Sequence, residues 1–369
     1  MKKILKSDGF LTILTSLLCI VFGLFIGYLV LLAINPNGAF DAIVAIVKNF
    51  MNYSSAAASL RYFGNTVVKT VPLILCSLSI LFAYKAGLFN IGVAGQYCIG
   101  ICSSLFCALV LQLPWYICIL AAIITAALWG MIVGILKSVF NVNEVISGIM
   151  LNWIALYITN MALVGVKETA SPYTLKLYQV NPSAIIPSFG LESLFNNNKY
   201  ISIAIPLALI VAIVIMIVLE KTKFGYEIKA TGFNRSAAKY CGMAEKRNVI
   251  LTLMISAGLA GLGAALLYLT GFEEYNISSS SVPSMGFNGI AAAFLGGLNP
   301  IGVILSSFFI QHITSGGAYV DKTMYSSQIT DLISAIIIYL CGFVMFIKMF
   351  IKSKQEAHEN AKKINGGNK

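Results

Sequence analysis

Three aromatic–amide neighbours interrupt apolar runs in this chain: Phe89 with Asn90, Asn152 with Trp153, and Phe287 with Asn288. Gln96 follows Asn90 in the same stretch. A carboxamide carries both donors and an acceptor, and burying one costs free energy unless it finds partners. Facing a cavity, such groups bind an uncharged polar solute, and an adjacent ring offers it a stacking face. A structural reading stands beside this one. Gly92 and Gly95 allow helices to approach closely, and Asn152 can bridge two helices as readily as it lines a path. Covalent chemistry has little support. No Ser/His/Asp set, HExxH helix or phosphate-binding glycine loop is present. Glu273 and Glu274 adjoin at a helix end, where solvation explains them. Cys98 and Cys102 share a helix face, but with only His312 and His358 in the chain no metal-ligand set is completed. The eight cysteines read as small packing residues, without a disulfide framework.

The elements that must carry these residues are membrane helices. Of 369 residues, 58% are apolar and 11% charged, against about 25% charged in soluble domains. Apolar runs near the roughly 20 residues needed to cross a bilayer fall at 10–34, 67–84, 88–111, 116–136, 145–166, 201–219, 249–271 and 332–346. Two shorter pieces, 285–297 and 301–313, are tilted short helices or a re-entrant pair. The expectation is an all-α polytopic membrane protein of about ten crossing or re-entrant helices, one domain over 1–350 and a disordered tail over 351–369. The first run follows Lys2, Lys3 and Lys6 but exceeds a signal-peptide core, so it reads as a retained helix.

Orientation follows from charge. With both termini in the cytoplasm, 18 of the 25 Lys/Arg lie inside, while the 14 acids divide evenly. The net charge of +11 thus reports topology and contact with anionic lipid rather than nucleic acid. Segments 35–66 and 167–200 fall outside. In the first, Phe40, Ile43, Val44, Ile46 and Val47 recur at helical spacing, as in a surface helix. Lys69 is expected to snorkel to the outer interface and Pro72 to kink its helix. Asn143 and Glu144 suit the start of a helix as cap and first-turn acid.

The longest cytoplasmic segment, 220–248, holds seven Lys/Arg and three Glu. Within it Asn234 can cap a short helix over 235–241 that Gly242 ends in the left-handed conformation. Such a helix, with Ala237 and Ala238 on it, is suited to docking. Few ionisable groups lie deep in the apolar runs, whereas ion-coupled carriers keep them there. A self-contained secondary carrier is therefore the weaker alternative. A loose echo also links Gly87–Gly95 with Gly286–Ala293, as expected of a duplicated transporter half.

Four stretches carry a family resemblance: GLFNIGVAGQ from Gly87, NEVISGIMLNWIA from Asn143, ATGFNRSAAKYCGM from Ala230 and GFNGIAAAFLGGLNPIG from Gly286. They resemble, in the family's order, permease subunits of ABC importers for nucleosides and simple sugars, and look closest to the nucleoside members. The resemblance covers about residues 10–350. It implies alternating access with a second permease chain, a cytoplasmic ATPase that binds ATP-Mg, and an extracytoplasmic substrate-binding lipoprotein. No cofactor is then expected in this chain. Phe89, Asn90, Gln96, Asn152, Trp153, Phe287 and Asn288 become the candidate solute pathway. Gly232, Asn234, Arg235, Ala237, Ala238 and Gly242 become the candidate ATPase-coupling set. Ribose, another simple sugar or a branched-chain amino acid is the alternative solute. Many members carry Glu where this chain has Ala94, so the family's pocket is not carried over unchanged.

Overall fold

The computed structural model describes residues 8–325 and scattered residues between 332 and 353. The expected tail lies outside the described residues, and so does most of the expected span over 332–346. Thirteen α-helices occur among the described residues: α1 Asp8–Ile34, α2 Ala39–Lys48, α3 Ala56–Lys85, α4 Val93–Leu105, α5 Trp115–Ser138, α6 Glu144–Leu163, α7 Leu177–Val180, α8 Ala204–Lys221, α9 Lys223–Phe233, α10 Arg235–Tyr240, α11 Glu245–Tyr268, α12 Ser284–Leu295 and α13 Pro300–Gly316. Extended pairing among them is limited to two isolated bridges, Lys167 with Thr174 and Tyr173 with Asn276. Seven of the helical stretches are long and apolar enough to cross a membrane.

α3 and α11 form the buried centre, while α5, α6 and α8 leave most of their surface outside the bundle. Small residues explain the centre. A Cβ on Gly261 of α11 would stand 2.5 Å from the Ala122 carbonyl oxygen of α5, and one on Gly100 of α4 would stand 2.6 Å from the Gly261 Cα. Between helices in lipid, close approach of this kind replaces the hydrophobic drive available in water.

Two expectations change. Lys69 does not snorkel at a helix end. α3 begins at Ala56, so Lys69 lies well inside it, where it forms a 2.9 Å ion pair with Glu273. Glu273 is accordingly not a merely solvated acid. The amphipathic stripe of α2 also turns: Ala39, Ala42 and Ile46 are its buried residues, while Phe40 and Val47 are exposed. The small alanines let α2 lie close against α1 and α13.

The chain is broken twice within the bundle. The run 88–111 is not one helix. Gly87 takes φ +69°, the chain stays non-helical to Ile91, and α4 starts at Val93 and ends in a π turn over Phe106–Val110. The second break follows Gly271, at φ +68°, and lasts to Pro283. Within it Val282 packs against Cys98, Ile99, Ala155 and Leu156 from the middles of α4 and α6. α12 then has 12 residues, about 18 Å of helix, too short for a hydrocarbon core of about 30 Å. α13, extended by its last turn to Tyr319, reaches 20 residues and is long enough. The two short apolar pieces thus differ: one is a helix too short to cross by itself and the other belongs to a helix long enough to do so.

Candidate functional site

The first break brings three of the expected pathway residues together. Asn90, only 3% exposed, donates from Nδ2 to Gln96 Oε1 at 2.9 Å and to Ser256 Oγ at 2.8 Å. Gln96 Nε2 donates back to Asn90 Oδ1 at 3.2 Å. Ser256 in turn donates to the Ser79 carbonyl at 2.8 Å, tying the amide pair to α11 and α3. Asn152 reaches across from α6: its Oδ1 accepts from Gly95 N at 2.8 Å and its Nδ2 donates to the Ile91 carbonyl at 3.1 Å. Buried amides left unpaired would cost about 1–3 kcal/mol each. Here they satisfy one another and the backbone of the break. The arrangement is a lock on the chain where it enters α4.

The aromatic members go elsewhere. Phe89 is half-buried, with its ring 6.4 Å from that of Phe294. Trp153 is 44% exposed on the outer face of α6, away from its neighbour Asn152. Phe287 is 43% exposed on α12, and Asn288 beside it is half-buried. These three do not join the lock. The start of α12 does meet the start of α4: a Cβ on Gly286 would stand 2.5 Å from Ala94 Cα. That contact leaves no room for a side chain at position 286.

At one end of the bundle the short helix forms as expected. Asn234 Oδ1 accepts from Ala237 N at 2.9 Å. Gly242 closes the helix at φ +78°, with Met243 N donating to the Ala238 carbonyl at 3.0 Å, the hydrogen-bond pattern of a left-handed helix stop. Cys241 falls just outside the helix. Of the two alanines Ala237 is on the surface, and Ala238 is 4% exposed. Gly232 works from the inside. A Cβ there would stand 2.5 Å from the Lys85 carbonyl oxygen and 2.7 Å from Gly87 N, so α9 crosses directly over the first break. Arg235 is half-buried.

Several participants escape sequence reading. Phe233 and Tyr240 flank α10 with 96% and 93% of their surface exposed. Two bare rings beside a capped helix are suited to a protein contact, and only their position in a polar segment hinted at it. Glu227 anchors α9 to the start of α11 through Arg247 at 3.5 Å, helped by Asn248 Nδ2 donating to Thr231 Oγ1 at 3.3 Å. Ser79 and Ser256 complete the amide lock. A hydroxyl inside an otherwise apolar helix was their available signal.

Known proteins supply the frame for this geometry. The family described as "Branched-chain amino acid transport system / permease component" matches residues 62–342. The chain belongs to this permease family. Among relatives of the permease, the guanosine ABC transporter permease protein NupP of Bacillus subtilis is 34% identical over 333 residues, 85% of this chain and 94% of the relative. The nucleoside ABC transporter permease protein NupB of Lactococcus lactis is 31% identical over 95% of this chain and 97% of the relative. A second Bacillus subtilis guanosine permease protein, NupQ, is 28% identical over 66% of this chain and 77% of the relative. No solved structure matches the permease. The family match spans both breaks, α9 and α10.

Proposed function

We propose that this chain is one of two permease subunits of an ATP-driven importer of nucleosides in a bacterial cell membrane. The observation that carries the reading is near full-length similarity to two permeases named for guanosine and nucleoside transport. Similarity to both NupP and NupQ supports a heterodimeric pair. The remaining partners are a cytoplasmic ABC ATPase that binds ATP-Mg and an extracytoplasmic substrate-binding lipoprotein. In this reading both termini and the 220–248 loop face the cytoplasm, the segments 35–66 and 167–200 face outside, and the chain has about ten transmembrane or re-entrant helices.

The mechanism runs inward from α10. The ATPase docks on α10 and on the exposed Phe233 and Tyr240 rings. Because α9 crosses the first break at Gly232, a displacement of α9 shifts the backbone that the Asn90, Gln96 and Asn152 amides hold. Loosening the lock frees those amides to exchange partners with a passing solute. Phe89, Trp153, Phe287 and Asn288 supply rings and a further amide where the second permease chain closes the path. Asn234 and Gly242 keep α10 intact, and Arg235 and Ala237 lie on its outward side.

Uptake of labelled guanosine in cells carrying the whole transporter, challenged with excess uridine, ribose or leucine, tests the solute. Competition by nucleosides alone supports the reading; competition by ribose or leucine alone assigns the chain to a sugar or amino-acid importer. Uptake that survives loss of the ATPase partner and stops with a proton ionophore would instead assign it to the ion-coupled carriers.

A further inference from the structure

α3 and α13 carry polar stripes of the same spacing, and the stripes face each other. Tyr62, Asn65, Thr66 and Lys69 lie on one, and Gln311, Thr314 and Ser315 on the other, both at i, i+3, i+4 spacing, with Ala318 following in the turn after α13. Between them, at the end of the bundle opposite α10, is an open cavity of about 290 Å³ that Phe272 and Tyr319 also line. That volume suits a small polar molecule. Polar residues on membrane helices are costly unless they face protein or a watered path.

We infer that this cavity is an outer subsite for an uncharged nucleoside. The inference rests on the nucleoside reading above and adds to it a location that the candidate pathway residues do not include. Gln311 is the first support. It is 6% exposed, its Nε2 donates to Ser315 Oγ at 2.9 Å, and among the described residues nothing donates to its Oε1. A largely buried residue thus lines the cavity with an acceptor that no described donor occupies. Asn65 is its complement on the other wall. Its Oδ1 accepts from Asn198 at 2.8 Å, which leaves its NH2 group as the available donor. A nucleobase edge presents donors and acceptors side by side and matches such a pair.

The rings are the second support. Tyr53 stacks on Tyr62 at 4.2 Å with 8° between planes and meets Tyr319 edge-on at 5.7 Å. Both cavity tyrosines are therefore held before a ligand arrives, and a rigid ring gives stacking area at little entropic cost. Charge is the third support. Lys69 lines the cavity, but Glu273 pairs with it at 2.9 Å and the Phe272 ring lies 5.3 Å away. The site offers no net charge, so it favours a nucleoside over its phosphate.

Ala318 is an exposed lining residue, so Ala318→Cys reports occupancy. Intact cells carrying the whole transporter are labelled with a membrane-impermeant maleimide, against the parent chain as background. Saturating guanosine is expected to slow labelling by about threefold or more, while guanosine 5′-monophosphate at the same concentration leaves the rate unchanged. Adding Gln311→Leu should remove the protection while labelling itself persists, which shows that the variant is folded and inserted. If guanosine fails to protect in cells that still accumulate it at the expense of ATP, the subsite is wrong and the nucleoside reading stands. Protection by ribose alone, without nucleoside uptake, would overturn the nucleoside reading and this assignment together. Equal protection by the monophosphate, or no labelling from outside, would also overturn the inference.

Discussion

The two breaks in this bundle are sewn by different thread. The first, between Gly87 and Gly92, is held by side chains: Asn90 and Gln96 bond each other, Asn90 also bonds Ser256, and Asn152 bonds backbone at Ile91 and Gly95. The second, between Gly271 and Pro283, adds backbone bridges to its side-chain bonds. Thr174 N donates to the Tyr275 carbonyl and Ile277 N to the Pro172 carbonyl, each at 2.9 Å. Asn160 adds a bridge, accepting from the Tyr275 hydroxyl at 2.7 Å and donating to the Ser279 carbonyl at 2.9 Å. Side-chain amides can exchange partners without moving the chain; a backbone bridge cannot. Only the first break therefore has the makings of a moving part, and only the first lies beneath α9.

The largest expected effect tests that contact. Gly232→Val places a branched side chain where the Lys85 and Gly87 backbones stand. It should cost about 3 kcal/mol, read as a fall in the thermal unfolding midpoint of the detergent-purified chain, with uptake lost. Asn90→Leu comes next. It strips Gln96 of its partner inside the bundle, at about 2 kcal/mol, and ATP-driven uptake should fall further than stability does. If Asn90→Leu lowers the midpoint yet transports at the normal rate, the lock is only structural.

What was legible in the sequence was whatever hydropathy and capping chemistry encode. The runs at 116–136, 145–166, 201–219 and 249–271 lie within or over α5, α6, α8 and α11. Asn143 caps α6 and Asn234 caps α10 as their positions implied. The break before α4 was hidden because most of its residues are apolar; only Gly87, Asn90 and Gly92 mark it. Adjacency does not put Asn152 and Trp153 on one face, since neighbours on a helix point about 100° apart, so one joins the lock and the other faces outward. The Lys69–Glu273 pair joins residues far apart in the chain, which no local pattern announces. For the same reason the facing stripes of α3 and α13 show only once the two helices are side by side.

Smaller effects belong to the second break. Tyr275→Phe removes one hydrogen bond and leaves Asn160 short of a donor, at about 1 kcal/mol. The backbone bridges at Thr174 and Ile277 survive it. Uptake should stay near normal, in contrast to Asn90→Leu at similar burial. A Tyr275→Phe chain as defective in transport as Asn90→Leu would erase the distinction between the breaks.

The smallest change in stability should come from α10. Tyr240 is 93% exposed, so Tyr240→Asp removes almost no packing and should shift unfolding by no more than about 0.5 kcal/mol. Its effect on transport should be large, because a carboxylate replaces a ring that would be buried against the ATPase, and desolvating an unpaired charge is costly. Hydrolysis by the assembled transporter should then continue without uptake, or the ATPase should no longer co-purify. Ala238→Asp is the informative control. Ala238 is buried at 4% exposure, so a carboxylate there attacks the packing of α10 on the bundle and should lower the unfolding midpoint. Loss of uptake in both variants, with loss of stability only in the second, separates docking from folding. Normal uptake in Tyr240→Asp would remove α10 as the point where force arrives, and with it the reason for placing the moving part at the first break.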